Sequence, residues 1–255
     1  MKLGVCCSDK GFAAARANGL SYAEPAMAAY RGKRNDELEK LRRYADGTGI
    51  SVDGFNCFFG SDISLYGDGM EKVVSYAERN FEVARIFGAS YCVLGSGKAR
   101  SVPHGKSKTD TEKMFCELLN AIGDKAGEYG VRIFLEPLQH AETDLINTLS
   151  DGVEMCRTAG NKNVSCLVDF YHFYMNGEDL SEFGILQPGE LGHVHIARPD
   201  ADRGAPAEEN TDVMSAWINK LRSIGYDGRI SIECTWKPDF DSDLASAVSV
   251  MKKIL

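Results

Sequence analysis

The stretch LVDFYH (167–172) carries an apolar strand pattern straight into a carboxylate. Leu167 and Val168 belong in a core, Asp169 follows directly, and His172 comes three residues later. Taken alone, Asp169 reads as a helix cap, because Asp is favoured where an extended segment hands over to a helix. The rest of the chain repeats the pattern, and the repetition decides the fold. Short runs rich in Val, Ile, Phe and Cys recur at KLGVCC (2–7), LSYAE (20–24), ISVDGF (50–55), SYCVLG (90–95), VRIFLE (131–136), VSCLVD (164–169), GHVHIA (192–197) and RISIEC (229–234). Segments of helical period lie between them, clearest at 70–88 and 111–130. Gly49, Gly88, Gly130 and Gly225 each stand just ahead of a strand, where helix-to-strand turns favour glycine. Strand–helix alternation means parallel strands joined by right-handed crossovers. Eight units of about 32 residues predict a closed (β/α)₈ barrel, one α/β domain over residues 1–255.

Composition narrows the function classes. Apolar residues make up 44% and charged residues 26% of the chain, as in ordinary soluble domains. No apolar run is long enough to span a bilayer, and the N-terminus lacks a signal-peptide pattern, so no membrane partner is expected. A net charge of −8 argues against a surface built to neutralise nucleic-acid phosphates. The eight cysteines form no CxxC pair. Cys6, Cys57, Cys92, Cys166 and Cys234 fall in strand-like segments as small core hydrophobes, which fits a reducing, cytoplasmic setting. Association into a homo-oligomer stays open, since no interface signature stands out.

Four consecutive candidate strands end in a potential ligand: the fifth in Glu136, the sixth in Asp169, the seventh in His195, the eighth in Glu233. The C-terminal ends of barrel strands converge on one mouth, so these side chains should point at a common centre. Two Glu, one Asp and one His make a mixed oxygen and nitrogen shell that suits Mn²⁺ best, with Mg²⁺, Co²⁺ and Zn²⁺ also compatible. A divalent cation would remove the mutual repulsion of three clustered carboxylates. His193 and His195 face the same way at different depths; His195 lies nearer the mouth and is the expected ligand, while His193 belongs to a deeper layer.

Glu136-Pro137-Leu138, Asp169 and His172 in DxxH spacing, His195 in HVHIA and Glu233 in SIE together resemble the xylose-isomerase-like TIM-barrel superfamily. Within it the sequence is most similar to the sugar phosphate isomerase/epimerase group, which holds ketose 3-epimerases and hydroxypyruvate isomerases. The segment LGSGKARSVPHG (94–105) also resembles that group's loop after the fourth strand. The resemblance spans nearly the whole chain. It implies a divalent-metal-dependent isomerase or epimerase acting on a sugar or keto-polyol, with Glu136 and Glu233 both ligands and acid/base pair. It further implies that His172, Glu142 and Arg203 contact substrate. Two departures bear on the substrate: Gln139-His140-Ala141 replaces an Asn-Arg-aromatic run, and the RPDADR loop is two residues longer. A keto-polyol dehydratase would use the same metal site. An abasic-site phosphodiesterase would want more metal ligands than the five His supply and a basic face.

Several other features look chemical. Gly105-Lys106-Ser107 imitates the end of a P-loop, but Arg100 stands where its first glycine should be. Gly95-Ser96-Gly97 reads as a tight turn, and Lys98 and Arg100 beside it leave room for a phosphorylated substrate. Glu24 ends the second candidate strand, either lining the mouth or serving as a structural hydrogen-bond acceptor. Trp236 could stack on a sugar ring or simply pack its loop; Trp217 belongs to the core.

Overall fold

The chain's computed structural model describes all 255 residues and contains nine parallel strands: β1 (Lys2–Val5), β2 (Tyr22–Ala23), β3 (Ser51–Val52), β4 (Gly54–Phe55), β5 (Tyr91–Leu94), β6 (Arg132–Leu135), β7 (Val164–Asp169), β8 (Leu191–Ile196) and β9 (Arg229–Ile232). Their order is β3-β2-β1-β9-β8-β7-β6-β5-β4. The strand expected at 50–55 is thus two strands, β3 pairing with β2 and β4 pairing with β5. Asp53 sits between them, its N–H donating to Ala23 O and its carbonyl accepting from Ser90 N–H. The ring therefore closes through residues 51–55 as a barrel of eight staves, and strands after the third carry a number one higher than the sequence implies. The split has a local cause. A Cβ at Gly54 would lie 2.2 Å from the Tyr91 ring, so glycine is required there, and an Asp-Gly pair is poor strand material.

Nine helices connect the staves: α1 (Phe12–Ala17), α2 (Asn35–Thr48), α3 (Met70–Phe87), α4 (Gly97–Arg100), α5 (Lys108–Glu128), α6 (Leu149–Ala159), α7 (Phe170–Met175), α8 (Thr211–Ser223) and α9 (Phe240–Ile254). Helix α5 starts three residues earlier than its period suggests, because the Ser107 hydroxyl accepts the Asp110 N–H and caps it. Thr148 and Asp151 cap α6 reciprocally.

Apolar burial is divided unequally. A cluster of 61 buried residues fills the space between strands and helices, whereas only Tyr91, Val93, Phe134 and Leu167 form the apolar plug inside the barrel. The remaining interior is polar. Trp217 is buried and stacks on Phe170, centroids 4.7 Å apart, as expected of a core residue. Cys6, Cys92 and Cys166 are buried, but Cys57 is exposed in the loop after β4 and Cys234 is half-buried past β9; those two lie just beyond their strands. No helix is long and apolar enough to cross a membrane.

Candidate metal centre

Glu136 and Glu233 directly follow β6 and β9, Asp169 is the last residue of β7, and His195 lies one residue before the end of β8. One ligand atom from each of the four lies within 4.8 Å of every other. His195 Nδ1 is 2.9 Å from Glu233 Oε2 and 3.4 Å from Glu136 Oε1. Both Nδ1 of His195 and Oε1 of Glu136 are buried without a hydrogen-bond partner. Buried polar atoms are nearly always satisfied. Three carboxylates and an imidazole nitrogen aimed at one point, two of their atoms unsatisfied, suit a hard or borderline divalent cation.

Asp169 plays two parts. Its Oδ1 accepts the Tyr171 N–H at 2.8 Å and caps α7, while its Oδ2 turns into the centre. The cap and the ligand position use different oxygens of one carboxylate. The cap that LVDFYH predicts is thus present, and the same residue still turns one oxygen towards the quartet.

Gly95, just after β5, makes room for the quartet: a Cβ there would lie 2.3 Å from Glu136 Oε2. Asn56, in the loop after β4, donates from Nδ2 to Glu233 Oε1 at 2.7 Å. Sequence reading missed both, since neither a lone glycine nor a lone Asn signals a carboxylate across the barrel. Gly95-Ser96-Gly97 carries the chain from β5 into α4, bending at Ser96 with φ +49°. Arg100 is not available to a phosphate. It is fully buried, and its guanidinium donates to the carbonyls of Glu136 (2.8 Å) and Ile146 (3.1 Å), bracing the Glu136 backbone from behind.

His172 is buried beside the centre, its Nε2 3.6 Å from Asp169 Oδ2. The Gln139 backbone N–H donates to its Nδ1 at 3.3 Å, which puts the neutral ring's proton on Nε2, facing the centre. Glu142 is exposed at the rim, 3.9 Å from His172 Nδ1 and hydrogen-bonded by Gln139. Arg203, at φ +49°, turns inward, and its Nη2 donates to both Asp169 Oδ2 and Glu233 Oε2. Trp236 lies apart from the quartet. Its indole N–H donates to Cys6 O at 3.3 Å and its ring meets Phe240 edge-on, in a shallow rim pocket shared with Cys7, Ser8, Lys10 and Gly11.

Beneath the quartet lies Glu24, fully buried one residue past β2. Its Oε1 meets His195 Nε2 at 2.9 Å, and its Oε2 meets His193 Nε2 at 2.9 Å, Tyr91 OH at 2.7 Å and Ser231 Oγ at 2.8 Å. Of the two roles open to Glu24, acceptor or mouth-lining group, the geometry is that of the acceptor. Burial alone would raise its carboxyl, but the two imidazoles outweigh burial and hold it well below the usual range. The two quartet glutamates diverge: burial pushes Glu136 up, whereas at Glu233 burial is outweighed by His195 and Arg203, which pull it down.

Residues 12–254 match the family profile described as xylose isomerase-like TIM barrel. An L-ribulose 3-epimerase of Mesorhizobium japonicum is 25% identical over 247 residues, 92% of this chain and 76% of that one. A 3-dehydro-D-guloside 4-epimerase of Escherichia coli is 30% identical over 128 residues, about half of either chain (50% and 48%). Among solved structures, that of an IOLI protein with a bound zinc atom superposes with a TM-score of 0.76 at 20% identity, over 100% of this chain and 96% of that one. Barrel topology, strand-end quartet and near-complete profile match agree: the chain belongs to the xylose isomerase-like TIM barrel family.

Proposed function

We propose that this chain, acting as one domain, is a divalent-metal-dependent sugar isomerase or epimerase. The convergence of Glu136, Asp169, His195 and Glu233 within 4.8 Å carries the reading. These four would hold the ion, Mn²⁺ by preference. When bound, the ion would supply Lewis-acid stabilisation of the negative charge that develops on a carbonyl oxygen as its neighbouring C–H is deprotonated. Glu136 and Glu233 follow strands separated by β7 and β8, so they flank the centre from two sides. One takes the proton from the carbon beside the carbonyl, and the other returns a proton to the opposite face or to the next carbon. The first outcome is epimerisation and the second aldose–ketose isomerisation. His172 Nε2–H donates to the substrate oxygen that becomes enediolate, a contribution of about 2–4 kcal/mol in comparable sites. Glu142 and Arg203 contact substrate hydroxyls at the rim, and Trp236 covers the far end of the sugar. With Arg100 sealed in the fold, a neutral sugar or keto-polyol suits the mouth better than a phosphorylated one. The −8 charge and eight free cysteines fit a cytoplasmic enzyme without nucleic-acid partners.

Incubation with ketoses and inososes in D₂O, followed by NMR of products, tests the reading. Deuterium should enter at the carbon next to the carbonyl, with epimerised or isomerised product, and EDTA should stop both. Loss of water from the substrate would instead indicate a dehydratase. A metal-free protein fully active in EDTA would end the metal reading.

A further inference from the structure

The most heavily bonded carboxylate in the barrel interior belongs not to the quartet but to Glu24, below it. Three strands aim four side-chain donors at this single group: His193 and His195 from β8, Tyr91 from β5 and Ser231 from β9. The layer is fixed from further below as well. Tyr22 OH lies 2.9 Å from Ser231 Oγ, and a Cβ at Gly4 would come within 2.4 Å of the Tyr22 ring, so a glycine makes the approach possible.

We propose that Glu24 is a positioning residue that fixes which nitrogen of His195 faces the metal centre. This inference rests on the metal reading above. A neutral imidazole carries one N–H, and that proton goes to whichever nitrogen faces an acceptor. Nδ1 faces the quartet, 2.9 Å from Glu233 Oε2 and 3.4 Å from Glu136 Oε1, and Nε2 lies 2.9 Å from Glu24 Oε1; with an ion held by the quartet, Nδ1 would turn its lone pair to the cation and Nε2 would keep the ring's one proton for Glu24. A carboxylate behind a ligating histidine in this way orients the ring and raises its basicity. Glu24 cannot turn round to bind an ion itself, because both of its oxygens are already engaged and its neighbours hold it from three strands.

The test is Mn²⁺ titration of the purified full chain and its Glu24→Gln variant, paired with ¹⁵N NMR of the Zn²⁺-loaded histidines. Wild type should show His195 with a protonated Nε2 and a metal-shifted Nδ1. Glu24→Gln should bind Mn²⁺ about 10–100-fold more weakly, and its His195 signals should show mixed tautomers. Binding within twofold of wild type, or weaker binding with the His195 tautomer unchanged, overturns the proposal, the latter because Glu24 would then act by charge alone. If Glu24→Gln does not fold, the double variant Tyr91→Phe/Ser231→Ala takes two donors from Glu24. It should weaken Mn²⁺ about threefold or more, and unchanged affinity overturns the proposal. Failure of the underlying metal reading looks different, for then wild type itself takes up no Mn²⁺.

Discussion

Strands β7 and β8 run for six residues each, whereas β2, β3 and β4 each run for two. All four quartet residues stand on or directly after the run β6 to β9. The opposite half contributes none, yet it supplies Glu24 behind His195, Asn56 on Glu233, and Gly95 beside Glu136. One half presents the quartet and the other holds it in place. Long ladders suit the first task at Asp169 and His195, because strand register fixes where a side chain emerges, while Glu136 and Glu233 follow four-residue strands. The loops after two-residue β2 and β4 suit the second, since Glu24 and Asn56 reach the quartet from across the ring.

That division is open to direct attack. Glu136→Gln and Glu233→Gln should lower turnover about 10²–10⁴-fold while metal stays bound; near-normal turnover in both variants, with metal content as control, would break the two-glutamate mechanism. Asp169→Asn should lose metal by more than the roughly 10–100-fold typical of an outer-shell change. Its remaining side-chain oxygen still accepts the Tyr171 N–H, so thermal unfolding should shift little, which separates ligand from cap. Asn56→Ala, on the holding side, removes a hydrogen bond to a charged group, worth about 1.5–3 kcal/mol. It should cost kcat/KM on the order of 10-fold with the metal retained, and an unchanged value would strip the short-strand half of that role. His193→Gln should do least. A Gln amide can still donate to Glu24, and metal content should stay near one ion per chain by elemental analysis.

The sequence made the barrel legible because each stave announced itself by an apolar run, four of them with a glycine just ahead. It also made the quartet legible, since helix capping alone would not set four ligand types at four successive strand ends. The third stave misled: ISVDGF reads as one strand, and only the Tyr91 ring pressed on Gly54 accounts for the interruption. Arg100 misled in another way. Beside a glycine-rich turn it resembles a phosphate contact, but its two shortest hydrogen bonds go to carbonyls 36 and 46 residues away, which local pattern does not encode. Glu24 stayed ambiguous for the same reason, as its four donors are scattered from Tyr91 to Ser231. Long-range pairing of side chains is what a linear reading cannot supply.

The thin stave at 51–55 has a mechanical consequence. In the ring it lies diametrically across from β8, the strand that carries His195. Each of its two halves is held on one side by only two register pairs, although Arg229 ties Asp53 to β9 at 2.6 Å. The wall should therefore breathe first where it carries no ligand. Amide protons of residues 51–55 should exchange with solvent sooner than those of β7 and β8, and exchange in the reverse order would contradict this.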